Sequence, residues 1–224
     1  MRERVQRACE KAGRPSSEVT LVLVTKSVPP ERVREAFEAG ARDFGENRVQ
    51  EFLRKKNGLP SGIHWHFQGG LQTNKVKPLL GEITLLHSLD RTHLAEEIQK
   101  QAEKKSLTVE ALVQVNTSGE ATQSGFGSEE VSGAVDRLRA FSQIRLRGLM
   151  TIGPFTDDAA RVRACFRKLR DLRDRLKKQF PEIDWGHLSM GMSSDFEIAI
   201  EEGATIVRVG TAVFGERKNH GETQ

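Results

Sequence analysis

The sequence predicts an α/β fold, a single (β/α)8 TIM barrel, and three observations carry that prediction. Eight short β-branched or aliphatic runs alternate with helical patterns along the chain. The connections between them are short. The length, 224 residues, suits one barrel with a substantial core. A doubly wound open sheet would satisfy the same alternation, because strand number alone does not close a ring.

Val5, Ala8, Cys9 and Ala12 follow helical spacing and stop at Gly13, so the chain opens with an amphipathic helix. Val19 to Thr25 reads as a buried first strand, and Glu31 to Ala39 as a helix ended by Gly40. Residues 41–44 read as a second strand and Glu46 to Lys56 as a helix stopped by Asn57-Gly58. Ile63 to Phe67 is the third strand, followed by Gly69-Gly70 and a helix over Thr73 to Leu80. Thr84 to His87 is the fourth, with Asp90 placed to cap the helix that reaches Lys105. Thr108 to Val115 is the fifth, and its helix starts near Ser128. Ile144 to Met150 is the sixth, with Thr156 capping a long charged helix that ends before Phe180-Pro181. Ile183 to Leu188 is the seventh, its helix stopping at Gly203, and Thr205 to Val209 is the eighth. No long helix follows the eighth strand, so the N-terminal helix is expected to cover that side. The barrel is expected over residues 1–215, with a polar C-terminal tail over 216–224.

Composition narrows the classes of partner. The net charge of +4 lacks the dense Lys/Arg tract that argues for nucleic acid, and a phosphorylated small molecule explains it as well. Cys9 and Cys165 have no metal-ligand spacing and read as reduced core thiols, which points to a cytoplasmic protein. No stretch approaches the ~18 apolar residues of a membrane span.

The chemistry collects at three places. With a side-chain period of two, Thr20, Val22, Val24 and Lys26 share a strand face, so an apolar face ends in a primary amine. Either its stem leans on the rim with the ammonium in water, or the amine is desolvated and ready to form a Schiff base. In a barrel, phosphate is commonly held by the loops after strands seven and eight. The first of these runs Ser189-Met-Gly-Met-Ser193-Ser-Asp195 and precedes a helix, where free N–H groups suit an anion. Ser194-x-x-Glu197 there also matches a capping box. After the eighth strand, Arg208 enters the interior if its face is the inner one, Gly210 permits close backbone approach, and Thr211 offers an N–H and a hydroxyl. A reactive lysine, an arginine and a phosphate cradle are the parts of a pyridoxal phosphate site. The aldehyde would meet Lys26, the pyridine nitrogen Arg208, and the phosphate Ser193, Gly210 and Thr211.

Motifs through the whole chain point the same way. Val24-Thr-Lys26, Phe44-Gly-Glu-Asn47, His64-Trp-His-Phe67, Leu71-Gln-Thr-Asn-Lys75, His87-Ser-Leu-Asp90, Gln114-Val-Asn116, Leu149-Met150, Leu188-Ser-Met-Gly-Met-Ser193 and the run from Ile206 to Gly215 occur in order. Together they resemble the pyridoxal phosphate homeostasis proteins, which are similar to the alanine racemase N-terminal barrel. The resemblance implies a single-domain barrel binding pyridoxal phosphate (PLP) through Lys26, with a role in vitamin B6 and amino-acid balance. It also places Asn47 beside the cofactor and Ser193, Arg208, Gly210 and Thr211 in contact with it; Met190 and Met192 are expected to pack. Three departures stand out: Gly70 where a bulkier residue is usual, Gln123-Ser-Gly125 in place of a loop lysine, and a short N-terminal helix.

A racemase needs two acid/base groups on opposite faces of the substrate carbon. Alanine racemase supplies a tyrosine across a dimer, and this sequence contains no tyrosine. His66, His87 or His187 would have to substitute. An arginine facing the pyridine nitrogen also makes the cofactor a weaker electron sink. The expectation is a monomeric carrier of PLP serving PLP-requiring apoenzymes, with no assigned catalytic residue and neither nucleic acid nor membrane as partner. A PLP-dependent racemase of weak activity is the alternative. A metal-dependent hydrolase built on His64-x-His66 with Asp90 or His187 is a third reading. Glu46 is either an acid/base group or a first-turn helix residue.

Overall fold

In the computed structural model, which describes residues 1–215, β1 (Thr20–Val24), β2 (Asp43–Glu46), β3 (His64–Phe67), β4 (Leu85–Leu89) and β5 (Val109–Asn116) pair in sequence order, all parallel. A two-residue strand, β6 (Phe126–Gly127), leans on the end of β5. The ring continues through β7 (Ile144–Met150), β8 (His187–Ser189) and β9 (Ile206–Val209). β9 then pairs with β1, Val22 opposite Arg208, and the ring is closed. Closure decides against the open sheet. The segment 216–224, expected as a polar tail, lies outside the described residues.

Helices fill the connections: α1 (Arg2–Lys11), α2 (Pro30–Glu38), α3 (Val49–Lys56), α4 (Val76–Leu79), α5 (Thr92–Lys105), α6 (Val131–Leu138), α7 (Ala159–Gln179), α8 (Phe196–Glu201) and the single turn α9 (Thr211–Phe214). Pro30 opens α2 at its first position, where a missing N–H costs nothing. With α9 so short, α1 covers that flank. Val5, Ala8 and Cys9 face inward, Arg4 and Lys11 pair with Glu197 and Glu201 at the α8 helix, and Arg2 donates to the Gly40 carbonyl. Among the described residues, no helix is long and apolar enough to cross a membrane.

Several boundaries differ from the sequence expectation, each for a physical reason. β2 lies two residues later than expected, in register with β3, and Glu46 is strand rather than helix because Lys55 and Thr25 hold its carboxylate. The helix expected over Thr73 to Leu80 splits into a 3-10 turn and α4, where Pro78 lacks the donor a continuous helix needs. Asp90 does not cap α5; it pairs with Arg91, the residue at the cap position. Asp158, not Thr156, caps α7, accepting from the N–H groups of Ala160 and Arg161, while the Thr156 hydroxyl accepts from Asp158 N–H. After β5 the chain adds β6, which delays the helix start from Ser128 to Val131. β8 is only three residues long, because Ile183 to Gly186 spend their backbone on turns.

Two apolar regions follow from the alternation along the strands. The larger lies between the outer strand faces and the helices and includes Phe44, Trp65, Phe166 and Val207. The smaller sits inside the ring and consists of Val22, Leu85, Leu112, Met150 and Ile206. Five side chains do not fill such an interior. The remainder is polar, and it contains the chemistry.

Candidate functional site

β9 aims Ile206 into the inner cluster, so by alternation Arg208 also points inward, and it is buried. Its guanidinium donates to the Ser189 hydroxyl at 2.6 Å and to the Thr151 carbonyl at 2.9 Å, both neutral acceptors. Burial pushes the group down to about 10, with the charge of Asp195 opposing, so it keeps its proton at neutral pH. The expectation that Arg208 lies inside the barrel holds.

Lys26 stands two residues past the end of β1, half-buried, on the strand that pairs with β9. Thr25 points outward, its hydroxyl on Glu46, which leaves Lys26 on the same side as Val22 and Val24. The backbone around it is held from both sides. The Lys55 ammonium donates to the Thr25 carbonyl at 2.7 Å, and Ser27, at φ +61°, donates its N–H to Glu51 at 2.6 Å. Lys55 completes its three bonds on Glu46 at 2.5 Å and Glu51 at 3.1 Å. Burial pushes the Glu46 carboxyl up, and the hydrogen bond from Lys55 opposes it. Glu46 is therefore a buried anchor beneath β1, neither solvent-facing nor a helix residue.

The loop after β8 and the turn after β9 meet at the same rim. The Ser193 hydroxyl accepts from the N–H groups of Gly210 and Ala212, at 3.3 and 3.4 Å. Gly210 packs so closely on β1 that a Cβ there would stand 3.2 Å from the Val24 carbonyl oxygen. Thr211 opens α9 and is exposed. The loop is shaped by Gly191 at φ +92°, where a Cβ would meet that of Ala199 at 2.5 Å, and by Asp195, whose carboxylate accepts from Met192 N–H at 2.5 Å. The expected capping box is absent: Asp195 occupies the cap position of α8 and makes no side-chain cap bond. Met190 packs in the core as expected, but Met192 stands 38% exposed, because the bend at Gly191 turns it out of the barrel.

Asn47 follows β2, and its Oδ1 is buried without a partner. The residue lines a hollow of about 370 Å³ with Arg48, Gln72 and Lys75. A larger cavity, about 980 Å³, lies on the outside between α1 and α2 and touches none of the predicted site residues. Of the departures noted in the sequence, a side chain at Gly70 would meet nothing within 4 Å. Gln123, in place of the usual lysine, donates to Glu120 and to the Gly153 carbonyl.

The structure also builds what sequence reasoning missed. His66 and His87, weighed in the sequence singly as acid/base substitutes and, for His66, as a metal ligand, join Asp43 and Ser189 in a hydrogen-bonded row that ends on Arg208. Lys55 gave no signal either, since Glu51 four residues before it reads as an ordinary surface pair. His66 meets His87 rather than Asp90 or His187, and among the described residues no three His, Cys, Asp or Glu side chains are grouped to hold a metal ion.

A closed parallel barrel with a lysine at the mouth of its first strand and an arginine inside its last defines an alanine racemase-like barrel. The fold of alanine racemase from Corynebacterium glutamicum superposes with a TM-score of 0.71 at 16% identity, covering 96% of this chain and 61% of that one. This chain belongs to the alanine racemase N-terminal domain family, matched over residues 1–218, and within it to the pyridoxal phosphate homeostasis proteins. It is 50% identical over 217 residues to the pyridoxal phosphate homeostasis protein of Aquifex aeolicus, covering 96% of this chain and 95% of that one. The corresponding protein of Pseudomonas aeruginosa is 41% identical over 215 residues, covering 96% and 91%. PipY of Synechococcus elongatus, solved with PLP bound, is 35% identical with a TM-score of 0.83, covering 95% of this chain and all of that one.

Proposed function

We propose that this protein binds pyridoxal 5'-phosphate as a Schiff base on Lys26 and serves intracellular vitamin B6 homeostasis and amino-acid balance. The observation that carries the reading is that Lys26, just past β1, and the Ser193–Gly210–Ala212 turn, just past β9, stand at the same end of neighbouring strands, with Arg208 buried inside the ring. The PLP-bound PipY and the naming of the relatives support it.

The residues present fit the group. Arg208 remains cationic and fully donating, the partner a pyridine nitrogen requires in order to stay unprotonated. The N–H groups of Gly210 and Ala212, now satisfied by the Ser193 hydroxyl, are donors suited to phosphate, with Thr211 exposed beside them. The unpartnered Oδ1 of Asn47 suits a contact beside the ring. When bound, PLP supplies an aldehyde that captures a primary amine reversibly. The chain's own residues hold and orient it: Lys55 and Glu51 fix the backbone on either side of Lys26, and Ser189 and Thr151 fix Arg208. With no tyrosine in the chain, reversible holding and delivery to apoenzymes is favoured over racemisation. A cytoplasmic monomer belongs to the same reading.

The test is chemical. The protein incubated with PLP and treated with borohydride should carry one pyridoxyl group on the peptide containing Lys26, and Lys26→Ala should lose it. A modification confined to any other lysine would remove the assignment.

A further inference from the structure

The hydrogen-bonded row inside the ring crosses it from β2 to β9. Asp43 Oδ1 lies 3.2 Å from His66 Nε2, His66 Nδ1 lies 2.9 Å from His87 Nε2, and His87 Nδ1 lies 2.9 Å from Ser189 Oγ. The Ser189 oxygen then accepts from Arg208 at 2.6 Å. Asp43 opens its strand, at the opposite end of the barrel from Lys26, and is half-buried; His66, His87, Ser189 and Arg208 are buried.

We infer that this row is a one-directional hydrogen-bond relay in which Asp43, His66, His87 and Ser189 position and polarise the Arg208 guanidinium. The inference rests on the reading of Arg208 as the partner of the cofactor ring. Its direction follows from the two ends, because arginine has no acceptor and a carboxylate no donor. Arg208 must donate to Ser189. Asp43 must accept from His66 Nε2–H. Between them one assignment satisfies every atom: Ser189 O–H donates to His87 Nδ1, and His87 Nε2–H donates to His66 Nδ1. Both imidazoles are then neutral and both carry their proton on Nε2.

The alternatives each leave a fault. If the neutral rings donate in the opposite sense, a bare His66 Nε2 faces the Asp43 carboxylate, two acceptors together. If His66 is an imidazolium, His87 must donate to Ser189, whose own proton is left without an acceptor among the described residues, fully buried. The charge preferences agree. Burial, with the fixed charge of Arg208 beside it, holds His87 well below the ordinary histidine range. Burial opposes charge on Asp43, but its hydrogen bonds to His66 and His64 outweigh that and hold the carboxyl below the ordinary carboxylate range.

The relay is read in the cofactor-free chain by nitrogen-15 NMR of labelled histidines. At neutral pH, His66 and His87 should both appear as neutral Nε2–H tautomers. In Asp43→Asn the amide oxygen takes the place of the carboxylate oxygen as acceptor, so both rings should stay Nε2–H, while the loss of the charge moves the nitrogen-15 shifts of both, including His87 with no direct contact to residue 43. A wild-type His87 that is charged or Nδ1–H, or one indifferent to Asp43→Asn, overturns the relay. Its effect on Arg208 is read from the PLP-loaded chain. The visible band of the bound cofactor should shift in Asp43→Asn and in Ser189→Ala, and return in Ser189→Thr, which keeps the hydroxyl. Ring shifts that respond while the band does not move would overturn the coupling to Arg208. A chain with the expected tautomers but no pyridoxyl adduct on Lys26 would instead count against the cofactor reading. Should Asp43→Asn not fold, the wild-type tautomers and the Ser189 pair still decide the matter.

Discussion

The Lys55 ammonium and the Glu46 carboxylate meet 2.5 Å apart beneath the end of β1, with side-chain exposures of 5% and 1%. The second oxygen of Glu46 has no partner in the structure. A buried pair of this kind adds little net stability, but losing one member strands the other. It also fixes the Thr25 carbonyl, one residue before Lys26.

Lys55→Met should therefore destabilise the fold by about 3–5 kcal/mol, and pairing it with Glu46→Leu should restore part of that loss. Urea unfolding midpoints of the two single variants and the double variant check this. A double variant no better than the worse single would show that the two charges do not depend on each other.

Stability should fall as pH drops below the ordinary histidine range. His87 is held neutral in the fold, whereas the unfolded chain takes up its proton below the ordinary value of 6.5. The unfolded state then binds more protons, so stability is full above that value and lost as pH falls toward the depressed folded value. The slope should approach about 1.4 kcal/mol per pH unit for that group. His187, also lowered by burial, adds slope of the same sign. Unfolding at about pH 7 and about pH 5.5 measures the slope, and His87→Gln should flatten it.

Ser193→Ala separates binding from stability. The N–H groups of Gly210 and Ala212 lose a long hydrogen bond at a partly exposed rim, so the unfolding free energy should change by less than about 1 kcal/mol. PLP affinity should fall about tenfold if the hydroxyl joins in holding the phosphate, the effect of roughly 1.4 kcal/mol. Absorbance titration with PLP gives the affinity. An unchanged value would remove Ser193 from the site.

Gly191→Ala should do the reverse of a silent change. A methyl there meets Ala199 Cβ at 2.5 Å and Phe196 Cα at 3.0 Å, at a positive φ that disfavours side chains. A loss of about 2–4 kcal/mol is expected, with weaker PLP binding because the same bend carries Ser193. Thermal unfolding and the same titration check both parts.

By itself the sequence determined the alternation of strands and helices, the place of Lys26 just past the first strand and the family, because each depends on local periodicity or on motif order. Ile144 to Met150 is a clear case: an apolar run bounded by polar turns is a strand wherever it sits. Only the tertiary structure decided what depends on which chain segments meet. The start of β2 is set by pairing with β3, and the inward face of Arg208 by closure of β9 against β1. Glu46 reads as an acid/base group or a first-turn helix residue and Lys55 as an ordinary helix charge, yet the fold removes both from water and joins them. His66, His87, Ser189 and Arg208 sit on four strands whose residues lie far apart in the chain. Their row exists because ring closure turns one residue of each inward at a level where the apolar cluster ends, and a buried polar group takes the nearest partner it has.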